Sequence, residues 1–290
     1  MNARSTVGGP LKALVLSFAA LMCPAATLAH ESTDPEPVAL SSKAVQLDPE
    51  DPTRQEIGRL RWRGGIEIAS PKARFGGLSG LLVSADGTRL LAVTDAGRWL
   101  SANLSYDSEG RLTGIAEGQM ARLRDLDGKG LDRKRWRDAE SLAQLADGSI
   151  LVSFEHNHRI WRYDSQDGPL AGLPTAWPNP EGLDLAPENG GVEGLAALAD
   201  GRLLALTEKQ EHGIGTAGYL WHGDAWSPVT YRPHTAFSPT AASRLPGSPD
   251  LLVLERAYRP LSGPRVRLVR LAADDIRPGA TLEGEELARW

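Results

Sequence analysis

Residues 140–155 read ESLAQLADGSILVSFE and residues 193–208 read EGLAALADGRLLALTE. Each is an acid, an apolar run, an Asp-Gly pair, a second apolar run and a closing acid. Two further stretches share the plan. Residues 79–95 (SGLLVSADGTRLLAVTD) open on Ser79, and residues 240–255 (TAASRLPGSPDLLVLE) open on Thr240 and turn at Pro-Gly. Self-similar units recurring roughly every 50 residues mark an architecture built by repeating one supersecondary unit.

Asp-Gly between two β-prone apolar runs is a strong hairpin signal, because a two-residue turn of this type needs positive φ at both positions. In such a hairpin the numbers of facing residues have a constant total. Glu140 and Glu155 share the total of Asp147 and Gly148, and Glu193 and Glu208 share that of Asp200 and Gly201. Ser79 and Asp95 miss by one, as a single bulged residue would cause. The spacing therefore predicts two directly opposed glutamate pairs, each about 5 Å apart, that need a cation, a basic partner or a shared proton. The competing reading is a solvated hairpin end neutralised by nearby Arg and Lys.

Further strands are expected at Trp99–Tyr106, Arg111–Ala116, Arg159–Tyr163, Tyr219–Trp221, Val229–Tyr231 and Arg265–Leu271. Three or four short strands per unit predict an all-β fold, a β-propeller of four-stranded antiparallel blades. About five or six blades are expected, with the ring allowed to stay incomplete at the C-terminus. Eight Trp, 31 Gly and 20 Pro suit such a turn-rich fold, and no long amphipathic helix is evident. A β-sandwich would leave the repeated acid-hairpin-acid unit unexplained. Residues 57–68 alternate apolar with polar positions and read as one or two strands; either the chain is truncated or the ring closes differently, with these strands completing a blade. Residues 169–189 read as a Pro/Gly-rich excursion.

Residues 1–29 have the form of a secretory signal: Arg4 and Lys12, a short apolar core from Ala13 to Cys23, and a Thr-Leu-Ala29 cleavage site. The apolar run is far shorter than the roughly 20 residues of a membrane span. The expected organisation is a signal peptide over 1–29, a flexible leader over 30–54 and the propeller over 55–290, in a periplasmic or secreted monomer. The only cysteine, Cys23, lies in the signal, so disulfides and thiolate ligands are excluded from the rest. The formal net charge is −5, and −7 without the signal, which argues against nucleic-acid binding.

In a propeller the inner strand of each blade lines the axis, so the acids at the hairpin ends would ring one end of the channel. Asp95, Glu140, Glu155, Glu193, Glu208 and Glu255 are the expected metal ligands, and oxygen donors without sulfur suit Ca²⁺ or Mg²⁺, Ca²⁺ first. Glu140, Glu155, Glu193 and Glu208 are the candidate catalytic acids and bases, since crowding raises carboxyl pKa values. Basic residues follow the closing acids, and Arg98, Arg159 and Arg256 are the expected contacts to a small anionic substrate. Three other motifs fail. Gly77-Leu-Ser79-Gly80 lacks the helix of a nucleophile elbow, the Asp125–Gly130 run lacks calcium-loop ligands, and His156-Asn-His158 has no third histidine for zinc.

The ordered stretches FGGLSGLLVSADGTRLLAVTDAGRW, DAESLAQLADGSILVSFEHNHRIWRY, GVEGLAALADGRLLALTE and LLVLERAY resemble the bacterial "esterase-like activity of phytase" family, from about Gly58 to Leu271. The resemblance implies an exported β-propeller related in fold to the calcium-dependent propeller phytases. Ser79 and Thr240 depart from the acids of the two central units. The expected function is hydrolysis of phosphate esters or related esters with a divalent cation at the acidic mouth, by water activation rather than a side-chain nucleophile. The alternatives are a gluconolactonase-like lactone hydrolase and a non-catalytic periplasmic binding propeller.

Overall fold

In a computed structural model of the chain, residues 32–164, 168–260 and 263–290 are described; the signal segment lies outside them. Among the described residues, four antiparallel sheets follow one another as blades. The first runs outward from Leu78–Val83 through Arg89–Thr94, Arg98–Tyr106 and Leu112–Arg122, with Glu36–Val38 added at its edge. The second is Ala139–Gln144, Ile150–Phe154, Arg159–Tyr163 and Pro174–Trp177. The third is Val192–Ala197, Leu203–His212, Gly215–His222 and Ala225–Tyr231, with Thr281–Leu282 added in parallel. The fourth is Ser238–Arg244, Leu251–Arg259, Gly263–Leu271 and Glu285–Arg289. The inner strands pack in chain order, first to fourth. This is a β-propeller arrangement of four blades, consistent with an incomplete ring.

The second strand of each inner blade is buried on both faces, which is why these runs are continuously apolar rather than alternating. Val152 and Phe154 join Val93 and Trp99 between the first two blades, whereas Leu151 joins Leu195, Leu203 and Ala205 between the second and third. Leu204 and Leu206 meet Leu251 and Val253 between the third and fourth. Polar pins accompany these layers: Leu195 N–H donates to Ser141 Oγ (3.1 Å), and Ser153 Oγ–H to the Val192 carbonyl (2.7 Å).

The hairpins form where expected but with a different register. Leu145 and Ser149 close the second blade's loop, so it holds three residues, and only Gly148 of the Asp-Gly pair takes positive φ (85°). The third blade repeats this with Leu198 and Arg202 around Gly201 (φ 87°). Ser141 faces Ser153, but Ala139 faces Phe154, so Glu140 is the extra residue of a bulge and is not directly opposed to Glu155. Glu193 is bulged in the same way between Val192↔Thr207 and Gly194↔Leu206. Ser79 and Thr240 hold the corresponding bulges of the first and fourth blades.

The segment expected to be a flexible leader contributes two strands, Glu36–Val38 on the first blade and Ser41–Val45 against Gly65–Ala69. Residues 57–68 do not complete a blade. They form part of a small hairpin, Glu56–Ile57 with Leu60–Arg61, and the strand Gly65–Ala69. That hairpin ties two outer strands together: Arg59 N–H donates to the Leu287 carbonyl of the fourth blade (2.7 Å), and Leu112 N–H of the first donates to the Arg63 carbonyl (3.1 Å). Gly58 (φ 57°) allows this approach, because a Cβ there would stand 2.3 Å from the Leu287 oxygen. The excursion over 169–189 supplies the second blade's outer strand, Pro174–Trp177, and one 3₁₀ turn, Leu183–Leu185.

Candidate functional site

The bulges decide which side chains meet at the mouth. Past each bulge the pairing slips by one, so Asp95 pairs with Gly77, Glu155 with Asp138 and Glu208 with Gly191; in each pair the acid's N–H donates to its partner's carbonyl, at 2.8–2.9 Å. In the fourth blade Pro239 faces Glu255, and Arg256 faces Ser238. Glu255 thus stands level with Thr94, Phe154 and Thr207, and Arg256 takes the ring position held elsewhere by an acid. The loop explains the slip: Leu245 and Asp250 close four residues instead of three, moving the ring position one residue along.

Glu255 is therefore a structural acid. It is 1 % exposed, accepts the Tyr231 hydroxyl (2.7 Å) and pairs with Arg267 Nη1 (2.5 Å), which itself binds Glu286 (2.6 Å). Such a satisfied buried pair is costly to break and has little left to offer a ligand.

In its place the mouth gains Asp138. Carboxylate oxygens of Asp138, Glu140 and Glu155 lie within 4.8 Å of one another, a set that could hold a metal ion. Burial raises the Glu140 carboxyl to about 8, with Glu155, Asp138 and Asp95 adding to the shift and a hydrogen bond from Ser79 opposing it. Burial also raises Glu193 to about 9, reinforced by Glu208, Glu140 and Glu155 and relieved by Arg256. Glu155 is raised by burial, against the Gly191 N–H that it accepts (2.8 Å), and by Glu208. Asp138 is raised by burial, while Lys134, His156 and Arg137 pull it down. Asp95, Asp138, Glu140, Glu155, Glu193 and Glu208 thus form one mutually repelling group. Among the described residues, side-chain cations meet parts of it, with Lys209 Nζ and Arg256 Nη2 2.5 and 3.6 Å from Glu208, while the ring Nε2 of His156 lies 2.9 Å from Asp138.

Of the three expected anion contacts, only Arg256 is at the mouth. Arg159 is buried inside the second blade, its guanidinium 3.8 Å from the Phe154 ring centroid and 4.2 Å from that of Trp161, donating to the Asn157 and Trp136 carbonyls. Arg98 is buried beside Arg122 and Glu36 of the first blade's two outer strands. Lys134 and Arg137, on a short helix (Lys134–Arg137) just before Asp138, are the basic residues that lower its carboxyl. Asp138 precedes the strand and Glu140 is bulged, so no period-two alternation in the sequence marks their convergence.

A propeller with an acidic mouth is the class these features define. The chain belongs to the phytase-like family described as esterase-like activity of phytase, whose model matches residues 73–290. No curated protein matches the sequence. Among solved structures, a gluconolactonase from Xanthomonas campestris is 13 % identical, with TM-score 0.43, over 79 % of this chain and 68 % of the other. A catalytically inactive virginiamycin B lyase from Staphylococcus aureus with quinupristin is 14 % identical, with TM-score 0.42, over 86 % and 89 %. With TM-scores below 0.5, these similarities bear on neither chemistry nor substrate. Among the described residues, no helix is long and apolar enough to cross a membrane.

Proposed function

We propose that the protein is an exported, monomeric hydrolase of phosphate esters or related esters that uses a divalent cation, Ca²⁺ foremost, at the acidic mouth. One observation carries the reading: Asp138, Glu140 and Glu155 bring carboxylate oxygens within 4.8 Å of one another. The donor set fits a hard cation, being all oxygen and under-compensated by side-chain cations. Asp138, Glu140 and Glu155 would hold the ion, with Asp95, Glu193 and Glu208 around them. Bound there, it would supply charge neutralisation and Lewis-acid polarisation of an ester oxygen.

The remaining chemistry belongs to the side chains. Glu193 keeps its proton at neutral pH and is suited to donate it to a departing oxygen. Glu140, ionised once it holds the cation, can take a proton from water. Arg256 holds the anionic group beside Glu208. In this role Glu255, Arg98 and Arg159 are replaced by Asp138, Lys134 and Arg137.

A panel of phosphate monoesters, carboxylic esters and lactones, run with Ca²⁺ and with chelator, tests the proposal. Calcium-dependent turnover of a phosphate or carboxylic ester is expected. Turnover confined to lactones would replace this reading with a lactone hydrolase. Calcium binding with no turnover on any of them would leave a binding propeller.

A further inference from the structure

The hairpins carrying Glu208 and Arg256 continue past the mouth, whereas the equivalent strands of the first two blades end there. In the second blade the last pair is Phe154↔Arg159, and in the first Thr94↔Arg98. In the fourth blade the pairing runs on through Ala257↔Arg265 and Tyr258↔Pro264 to Arg259↔Gly263. The third blade's hairpin also resumes pairing beyond the mouth, to His212↔Gly215.

This extension carries a tyrosine, Tyr258, two residues beyond Arg256 on the same strand. Residues two apart on a strand point to the same face, about 6.6 Å apart along it. Tyr258 therefore shares a face with Arg256, one step outward, while the intervening Ala257 is turned inward and buried. The Arg256 guanidinium lies 3.6 Å from Glu208 and its side chain is 54 % exposed. Tyr258 is 71 % exposed, so its ring is open to contact. Tyrosine offers a rigid, amphipathic contact surface at low entropic cost.

We infer that Arg256 and Tyr258 form a two-part recognition wall for an anionic ester whose organic half is a ring with an apolar face. Arg256 takes the anionic group beside the carboxylates, and the ring lies on Tyr258. This deepens the proposed function, because it rests on the mouth being the ligand site, and it makes Tyr258 a specificity determinant rather than a catalytic residue. An ester with a small aliphatic half would use Arg256 alone.

Calorimetric titration of the full chain with phenyl phosphate and ethyl phosphate, in the presence of Ca²⁺, tests the wall. Phenyl phosphate is expected to bind about tenfold more tightly, the scale of one ring-on-ring contact. Tyr258→Ala should abolish that preference and leave ethyl phosphate unchanged, Tyr258→Phe should keep it, and Arg256→Gln should weaken both ligands alike. A preference that survives Tyr258→Ala overturns the inference. Equal binding of both phosphates with calcium-dependent turnover intact overturns the wall alone, whereas binding of neither overturns the wall and the reading of the mouth together.

Discussion

Replacing Glu193 by Gln should stabilise the protein at neutral pH in the absence of divalent cations. The Glu193 carboxyl is raised from 4.5 to about 9, chiefly by burial and then by Glu208, Glu140 and Glu155. The native state thus holds a proton that the unfolded chain releases above 4.5. Native stability must fall as pH rises from 4.5 towards 9, the stretch where the native state binds more protons. At pH 7 this costs about 3 kcal/mol, at roughly 1.4 kcal/mol per pH unit. Gln keeps the shape of the protonated acid and has no proton to lose, so the variant avoids that cost. Thermal unfolding in chelator should show a gain of roughly 5–10 °C in Tm at pH 7, shrinking to near zero at pH 4.5. Calcium should stabilise the variant about as much as the wild type at pH 7, because protonated Glu193 and Gln carry the same charge. A Glu193→Gln protein no more stable than wild type at pH 7, or equally stabilised at pH 4.5, would refute the reasoning.

Other consequences follow from the same geometry. Asp138→Asn should lower calcium affinity at least about tenfold by calorimetry, and His156→Ala, which removes the group beside Asp138, should lower it by about 10- to 100-fold. Arg159→Ala should cost about 2–3 kcal/mol in urea unfolding, through lost ring contacts and hydrogen bonds, while calcium affinity stays at the wild-type value. Gly58→Ala should cost about 1–3 kcal/mol in the same assay, because its backbone is left-handed and a Cβ would meet Leu287.

The repeat was legible because Asp-Gly turns and continuous apolar runs are local signals, and the packing between blades asks only that both faces of a strand be apolar. Arg159–Tyr163 was read to the residue as a strand. The register was not legible. Counting from a two-residue turn requires Asp147 to take positive φ, and it does not; the three-residue loop and the bulge at Glu140 each move the pairing by one. The two shifts put Asp138 opposite Glu155 yet keep Glu140 beside both, so the residue totals agreed with a geometry that is absent. The fourth blade shows the cost of such counting. Its longer Pro-Gly loop puts Arg256 at the mouth and sends Glu255 to Tyr231 and Arg267, a change that composition and motif cannot reveal. Arg98 and Arg159 were misplaced for a related reason: a basic residue after an acid says nothing about which face it takes.

Crystals of the full chain grown with Ca²⁺ and measured for anomalous scattering would test the cation site most directly. The account predicts one ion bound by carboxylate oxygens of Asp138, Glu140 and Glu155 at about 2.3–2.6 Å, with Glu255 still on Arg267. A calcium-loaded protein whose ion lies elsewhere, or is held by Glu255 in place of Asp138, would contradict it.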